Sequence, residues 1–138
     1  MQAVLLTGGL GTRLRPLTFT KAKCLLPVLN QPLIDRVMAS LPKAVKEVFV
    51  TLNAAHPFPE GDFEKRHHDR KLSFLREDEG LGTGGPVRFL SDRLGKDFLV
   101  INGDVLSSLD VGAMVKFHQK QGGLGTIALF KAEDPRPY

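Results

Sequence analysis

The chain has 138 residues, enough for one domain with its own core, and its 42% hydrophobic and 25% charged residues are ordinary for a soluble globular protein. No apolar run approaches the roughly 20 residues that cross a bilayer, and no basic residue precedes the apolar start, so neither a membrane span nor a secretory signal is expected. The net charge is +4, but the basic residues are not interleaved with aromatic residues as they are in a nucleic-acid groove. Nucleic-acid binding is therefore not expected either.

Segments typical of strands and helices alternate along the chain. Apolar runs predict strands at 2–7, 46–52, 71–77, 97–102 and 125–132. Helical patterns lie at 32–41, 86–94 and 110–121, with a short helix around Phe63 inside a polar 53–70 loop. The alternation predicts an α/β fold, a Rossmann-like mostly parallel sheet with helices on both faces. The second and fourth strands, "VFVTL" and "FLVIN", are expected to be buried on both faces.

Prolines and glycines mark the ends of these helices. Pro32 and Pro86 are predicted at first helical positions, and Gly95 and Gly122 follow the last turns. The first helix has an apolar face made of Leu33, Ile34, Val37, Met38 and Leu41.

A glycine loop follows the first strand, in "LTGGLGTRLRP". In open α/β sheets, ligands bind beyond the carboxyl ends of the strands, and bare backbone N–H groups can approach a phosphate there. The loop lacks the Gly-Lys-Ser/Thr of a P-loop and has Leu14 where the dinucleotide fingerprint needs a third glycine. The spacing therefore disfavours a dinucleotide-binding oxidoreductase. It leaves two interpretations open, a phosphate loop of another kind and an ordinary tight turn.

The excess positive charge belongs to the segment that contains this loop. No acidic residue precedes Asp35, whereas Arg13, Arg15, Lys21 and Lys23 do. Such a local field suits a small polyanion such as a nucleotide phosphate. The single cysteine, Cys24, cannot form an internal disulfide, so we expect a cytoplasmic protein in which Cys24 is a small buried residue.

Three ordered motifs resemble those of the sugar-phosphate nucleotidyltransferases. They are "GGLGTRLRPLT" followed by "KCLLPV", then "EDEGLGTGG" at 77–85, and "FLVINGDV" at 98–105. The segments "AMVKFHQKQGG" and "DPRPY" are similar to the mannose-1-phosphate guanylyltransferase branch. The resemblance implies that an NTP and a sugar 1-phosphate form an NDP-sugar and pyrophosphate, with Mg²⁺ as cofactor.

The resemblance also implies a role for individual residues. Arg13 would neutralise the leaving pyrophosphate, Lys23 would lie between the α-phosphate and the sugar phosphate, and Asp104 would bind Mg²⁺. The implied nucleotide-binding residues are Leu6, Gly8, Gly9, Gly11, Thr12, Arg13, Glu77, Gly82, Thr83 and Asn102. Glu77 would face the base edge, and a carboxylate there suits the adjacent N1 and N2 donors of guanine, so GTP is the expected substrate.

Each residue also has a plainer interpretation. Arg13 and Lys23 could be solvated charges, Asp104 a turn residue, and Glu77 part of an exposed acidic run. The adjacent His67 and His68 lack metal-site spacing and are expected at the surface.

The sequence departs from the family pattern in two places. Ala22 and Cys24 flank Lys23 where the family has prolines, which would loosen the segment that holds the lysine. Gly84 replaces a common alanine, as in uridylyltransferases that act on amino-sugar acid phosphates. A uridylyltransferase and a non-catalytic regulatory domain on the same fold therefore remain alternatives, and a homo-oligomer is compatible with either.

The resemblance covers the nucleotide-binding part of a single nucleotidyltransferase domain, over residues 1–138. We expect the sugar-binding strands and a second metal carboxylate to lie outside this chain. A sheet without those strands is expected to expose an apolar edge or face.

Overall fold

A four-stranded parallel sheet forms the centre of the computed structural model, which describes residues 1–77, 81–134 and 136. The strands are β1 (Gln2–Leu6), β2 (Pro27–Val28), β3 (Gln31–Pro32), β4 (Glu47–Asn53), β5 (Lys71–Glu77) and β6 (Phe98–Asn102). The helices are α1 (Leu33–Ser40), α2 (Glu60–Arg66), α3 (Gly85–Phe89) and α4 (Val111–Gln121). The central sheet has the order β5-β4-β1-β6, and β2 and β3 form a separate antiparallel pair.

The register aligns the carboxyl ends of the four strands. Leu6 of β1 pairs with Asn102 of β6, and Asn53 of β4 pairs with Glu77 of β5. The loops that follow these strands therefore start from one edge of the sheet, where ligands bind in folds of this class.

Helices cover both faces of the sheet, as predicted. On one face, Ile34, Met38 and Phe63 from α1 and α2 pack with residues of β1 and β4. On the other face, Leu90, which follows α3, packs against Val4 and Phe49. These side chains are at most 1% exposed, so burial of apolar surface stabilises both layers.

The chain divides into two units, residues 1–107 and 108–138. The first contains the sheet and α1 to α3. The second contains α4, whose first turn is capped by Asp110, since its carboxylate accepts a hydrogen bond from Ala113 N at 2.9 Å. Gly122 ends α4 with a φ of 65°, as the sequence predicts.

Two predicted elements are wrong in part or in full. Residues 125–132 form no strand, because an apolar run becomes a strand only beside a hydrogen-bonded neighbour, and Ile127 there is 82% exposed. The predicted helix at 86–94 ends at Phe89 because the backbone of Leu90 leaves helical geometry, and a turn follows.

Two finer expectations are also corrected. Pro32 lies just before α1 in extended backbone, with a ψ of 138°, instead of at the first helical position. β6 is not buried on both faces, since Val100 is 45% exposed. The reason is topological: β6 lies at the end of the described sheet, whereas β4 lies between two strands. The described helices include none that is long and apolar enough to cross a bilayer.

Candidate active site

A cavity of about 430 Å³ opens at the carboxyl ends of β1 and β6. It is lined by Gly9, Gly11, Thr12, Arg13, Leu14, Lys23 and Asp104. The fold thus brings the glycine loop together with all three residues to which the resemblance assigns catalytic roles. Two cations and one carboxylate beside bare backbone form a site suited to a phosphorylated ligand.

The glycine loop owes its shape to a left-handed residue at its end. Gly11 has a φ of 62°, and its carbonyl accepts a hydrogen bond from Thr18 Oγ1 at 2.8 Å. A side chain at this position would begin 3.0 Å from Thr18 Cγ2 and 3.2 Å from Lys23 Cβ. Glycine therefore allows the loop to close against the segment that carries Lys23.

Lys23 and Asp104 form an ion pair across the cavity wall. Lys23 Nζ lies 2.7 Å from Asp104 Oδ2, and the side chains are 31% and 29% exposed. Lys23 opens a short 3₁₀ turn, Lys23–Leu25, whose neighbours Ala22 and Cys24 are 8% and 1% exposed. The buried side chains of Ala22 and Cys24 thus anchor the segment that carries Lys23. These are the two positions at which the family pattern has prolines.

Gly103 places Asp104 over the loop. The N–H of Gly103 donates to Leu6 O at 2.9 Å, and this bond continues the pairing of β6 with β1 past the end of β6. A side chain at Gly103 would begin 2.2 Å from Thr7 Cγ2, closer than real atoms approach. Thr7 cannot retreat easily because it is buried and bonded to Thr51.

Gly103→Ala is accordingly expected to lower the free energy of unfolding by about 1–3 kcal/mol, the usual effect of overpacking a tight core. Urea denaturation measures the change. Gly61→Ala is the control, since Gly61 lies in α2 with open space around it and alanine favours helix there. Equal stability of the Gly103→Ala and wild-type chains would contradict this account of the contact.

Cys24 is a buried apolar residue, as predicted, and burial raises the pKa of its thiol to about 11. A folded pKa above the unfolded value of 9.0 stabilises the fold below pH 9, and this contribution is lost as the pH rises through about 11. We expect a thiol reagent to modify Cys24 at pH 8 only when urea unfolds the chain. The rate of modification with and without urea measures this, and rapid labelling of the native chain would contradict it.

Glu77 is not part of an exposed acidic run. It ends β5 with only 5% exposure, and its Oε2 accepts a hydrogen bond from Leu81 N at 3.2 Å. The carboxylate lies against Gly8, with Oε1 3.2 Å from the point where a side chain would begin. Two predicted site residues, Glu77 and Gly8, are therefore neighbours, and a side chain at position 8 would press on the carboxylate. Asp78, Glu79 and Gly80 of the same motif lie outside the described residues, as do three of the five residues of "DPRPY".

The remaining predicted nucleotide-binding residues, all within the described part of the chain, are not among those that line the cavity. Leu6 and Asn102 end the adjacent strands β1 and β6. Gly82, with a φ of 66°, and Thr83 lie in the turn before α3, and both are exposed.

A group of polar residues behind the glycine loop was not predicted. Thr7 N donates to Thr51 Oγ1 at 3.1 Å, and the Thr7 hydroxyl donates to Thr51 O. Asn53, at the end of β4, donates from Nδ2 to Gly8 O at 3.0 Å. The available signal for Asn53 was its place as a polar residue at the carboxyl end of a buried strand, whereas Asp104 was singled out by the family motif.

His67 is wrongly predicted as a surface residue. Its Nε2 lies 2.7 Å from Oδ1 of Asp35, which is buried in the first turn of α1, and Arg66 pairs with the same carboxylate. The ring also packs 4.6 Å from Phe63. Arg66 and His67, at the end of α2, thus connect α2 to α1 through Asp35, because a buried carboxylate needs charged or hydrogen-bonding partners. His68 is exposed, as expected.

Asp104 is the residue that could hold a divalent cation here. The residues that the structure describes contain no group of three or more potential ligands. One carboxylate is still compatible with Mg²⁺, which commonly takes one or two carboxylates and completes its shell with water and substrate phosphates.

Comparison with known proteins places this geometry in context. A family profile described as "Nucleotidyl transferase" matches residues 2–138. The mannose-1-phosphate guanyltransferase of Aspergillus oryzae is 37% identical over the whole chain, and the catalytic subunit beta of the Danio rerio mannose-1-phosphate guanylyltransferase is 36% identical. The chain spans only 40% of the length of each of these relatives.

Solved structures share the architecture. HddC from Yersinia pseudotuberculosis, complexed with GMP-PN, matches 85% of this chain and 53% of its own, with 27% identity and a TM-score of 0.68. The UTP-bound UGPase of Acinetobacter baumannii matches 88% of this chain and 53% of its own, with a TM-score of 0.72. At 20% identity, the second likeness concerns the fold alone.

Proposed function

Because this chain belongs to the nucleotidyl transferase family, we propose that it is the nucleotide-binding part of an enzyme that forms GDP-mannose and pyrophosphate from GTP and mannose 1-phosphate. The observation that carries the proposal is the convergence of Arg13, Lys23 and Asp104 on the cavity beside the glycine loop. Similarity over the whole of this chain to part of two mannose-1-phosphate guanyltransferases supports the choice of base and sugar.

The proposed reaction is an in-line displacement at phosphorus. A phosphate oxygen of mannose 1-phosphate attacks the α-phosphorus of GTP, the bond from that phosphorus to the bridging oxygen breaks, and pyrophosphate leaves with the electron pair. Two anions meet and negative charge grows on the leaving group, so the site must supply positive charge and positioning.

The described residues divide these tasks. Gly9, Gly11 and Arg13 line the cavity. In the proposed reaction the glycine backbone would border the triphosphate, and the Arg13 guanidinium would hold two oxygens of the leaving pyrophosphate. Lys23 can place its ammonium between the reacting phosphates. Asp104, which now pairs with Lys23, would hold Mg²⁺, and a bound Mg²⁺ neutralises phosphate charge and orients the oxygens.

Titration of the 138-residue chain with GTP in the presence of Mg²⁺ tests the nucleotide site. Pyrophosphate release on adding mannose 1-phosphate tests the transfer, and it is measured in a longer protein that joins this chain to the sugar-binding strands. The expected results are GTP binding by the chain and GDP-mannose formation by the longer protein. A chain that binds no nucleoside triphosphate would overturn the proposal.

We expect the chain to bind GTP about tenfold more tightly than UTP or dTTP. Guanine offers adjacent N1 and N2 donors to a carboxylate such as Glu77, whereas uracil offers one donor between two acceptors. A buried polar group left without a partner costs about 1–3 kcal/mol, which accounts for a preference of this size. Calorimetric titrations with the three nucleotides measure it.

Glu77→Gln provides the matched variant, because it keeps the size of the side chain and removes its charge. The variant is expected to lose most of the GTP preference while it binds UTP as before. A wild-type chain that prefers UTP would favour a uridylyltransferase instead, and a Glu77→Gln chain with full GTP preference would exclude Glu77 as the base contact.

A further inference from the structure

Asn53 is held in one orientation at the base of the glycine loop. Its Nδ2 donates to Gly8 O at 3.0 Å, and its Oδ1 accepts from Ala55 N at 2.8 Å. Only the amino end of the amide can donate and only its oxygen can accept, so the two bonds together determine which way the group faces. The carbonyl of Gly8 is thereby fixed toward β4.

This bond also orients the next N–H group along the chain. The carbonyl of Gly8 and the N–H of Gly9 belong to one planar trans peptide, in which they point in opposite directions. With the carbonyl turned to Asn53, the Gly9 N–H points away from β4. Gly9 lines the cavity, and beyond its two chain neighbours no heavy atom of the described residues lies within 4 Å of the point where a side chain on Gly9 would begin.

We propose that Asn53 is a positioning residue, which fixes the Gly8–Gly9 peptide so that the Gly9 N–H faces a phosphate group in the cavity. The proposal rests on the proposed function, because it takes the ligand to be a nucleoside triphosphate. A hydrogen bond is needed to hold this peptide in one orientation, since a peptide between two glycines can rotate more freely than any other. The neighbouring bond from Thr7 N to Thr51 Oγ1 fixes the strand end but does not act on this peptide.

Inorganic tripolyphosphate is the probe, since it has the phosphate chain without base or sugar. We expect the ¹⁵N-labelled chain to bind it with a downfield shift of the Gly9 amide proton in NMR titrations. In Asn53→Ala, affinity should fall about tenfold and the Gly9 shift should largely disappear, as for the loss of one hydrogen bond to a charged group. The dispersion of the remaining amide signals reports whether the fold is intact.

Asn53→Asp separates the two arms of the side chain. It keeps an oxygen for Ala55 N but places a second acceptor against Gly8 O, so it should weaken binding at least as much as Asn53→Ala. Asn30→Asp is the matched control, because Asn30 is exposed in the turn between β2 and β3, is not among the cavity residues, and has a φ of 62°, which aspartate tolerates. This control should bind tripolyphosphate like the wild type.

The outcomes distinguish the inference from the proposed function. If the wild-type chain binds neither tripolyphosphate nor GTP, the proposed function fails. If the wild-type chain binds tripolyphosphate and Asn53→Ala binds equally well with the same Gly9 shift, the positioning role is overturned, even if that variant is less stable. The role is also overturned if only Asn53→Asp weakens binding, since the added charge then explains the effect.

Discussion

Lys23→Ala is expected to lower the rate of GDP-mannose formation by about 10²–10³-fold, the usual effect of removing one preorganised charge from such a site. Lys23 lines the cavity, where its ammonium meets the carboxylate of Asp104. Its loss leaves the attack of one phosphate on another without a charge between them. Pyrophosphate release at saturating GTP and mannose 1-phosphate measures the rate, and both this comparison and the one for Arg13 below are made in a longer protein that includes the sugar-binding strands.

The fold should survive this substitution. The ion pair with Asp104 is about a third exposed, so its contribution to stability is small, and Ala22 and Cys24 still anchor the turn. Lys21→Ala is the matched control: it removes an exposed lysine two residues away that does not line the cavity. Equal rates for Lys23→Ala and wild type would contradict the assignment of Lys23, whereas slow Lys21→Ala would point to a general effect of charge.

The parallel sheet was predictable because its strands and helices differ in the period of their apolar residues. Val37 and Met38 lie three and four residues after Ile34, as on one face of a helix, whereas Val48 to Val50 form a continuous run. Each pattern matches the surface that it buries. The run at 125–132 is rich in apolar residues, as β6 is, but it has no partner strand in the described chain. Whether two strands pair depends on the whole chain, so the pattern of one segment cannot predict it.

The charged residues of the cavity could be predicted from the sequence, but the hydrogen bonds that hold the surrounding backbone could not. The family motifs singled out Arg13, Lys23 and Asp104, and all three line the cavity. Arg13 and Lys23 lie in the chain that follows β1, and Asp104 follows β6, so they belong to the edge of the sheet where ligands bind in open α/β folds. The inward turn of Glu77 and the bond from Asn53 to Gly8 depend on which side chain lies opposite which backbone group across neighbouring strands. These contacts follow from the register of the paired strands, which cannot be derived from the sequence of one strand.

Arg13→Ala is the second substitution expected to reduce turnover by about 10²–10³-fold. Arg13 lies in the short 3₁₀ turn Thr12–Leu14 directly after Gly11, so the left-handed glycine aims this turn at the cavity. A guanidinium binds phosphate through two parallel hydrogen bonds, and pyrophosphate acquires its charge as it leaves. The interaction therefore strengthens toward the transition state, and the loss should appear in kcat more than in the KM for GTP.

Arg15→Ala is the control that separates this role from the general positive field of the loop. Arg15 lies two residues farther along, stacks over the Phe19 ring at 5.4 Å, and does not line the cavity. Both substitutions lower the local charge by one, so a purely electrostatic field would make them equally slow and equally sensitive to salt. A direct contact predicts that Arg13→Ala alone loses turnover and that added salt does not equalise the two. Wild-type kcat in Arg13→Ala would remove Arg13 from the reaction.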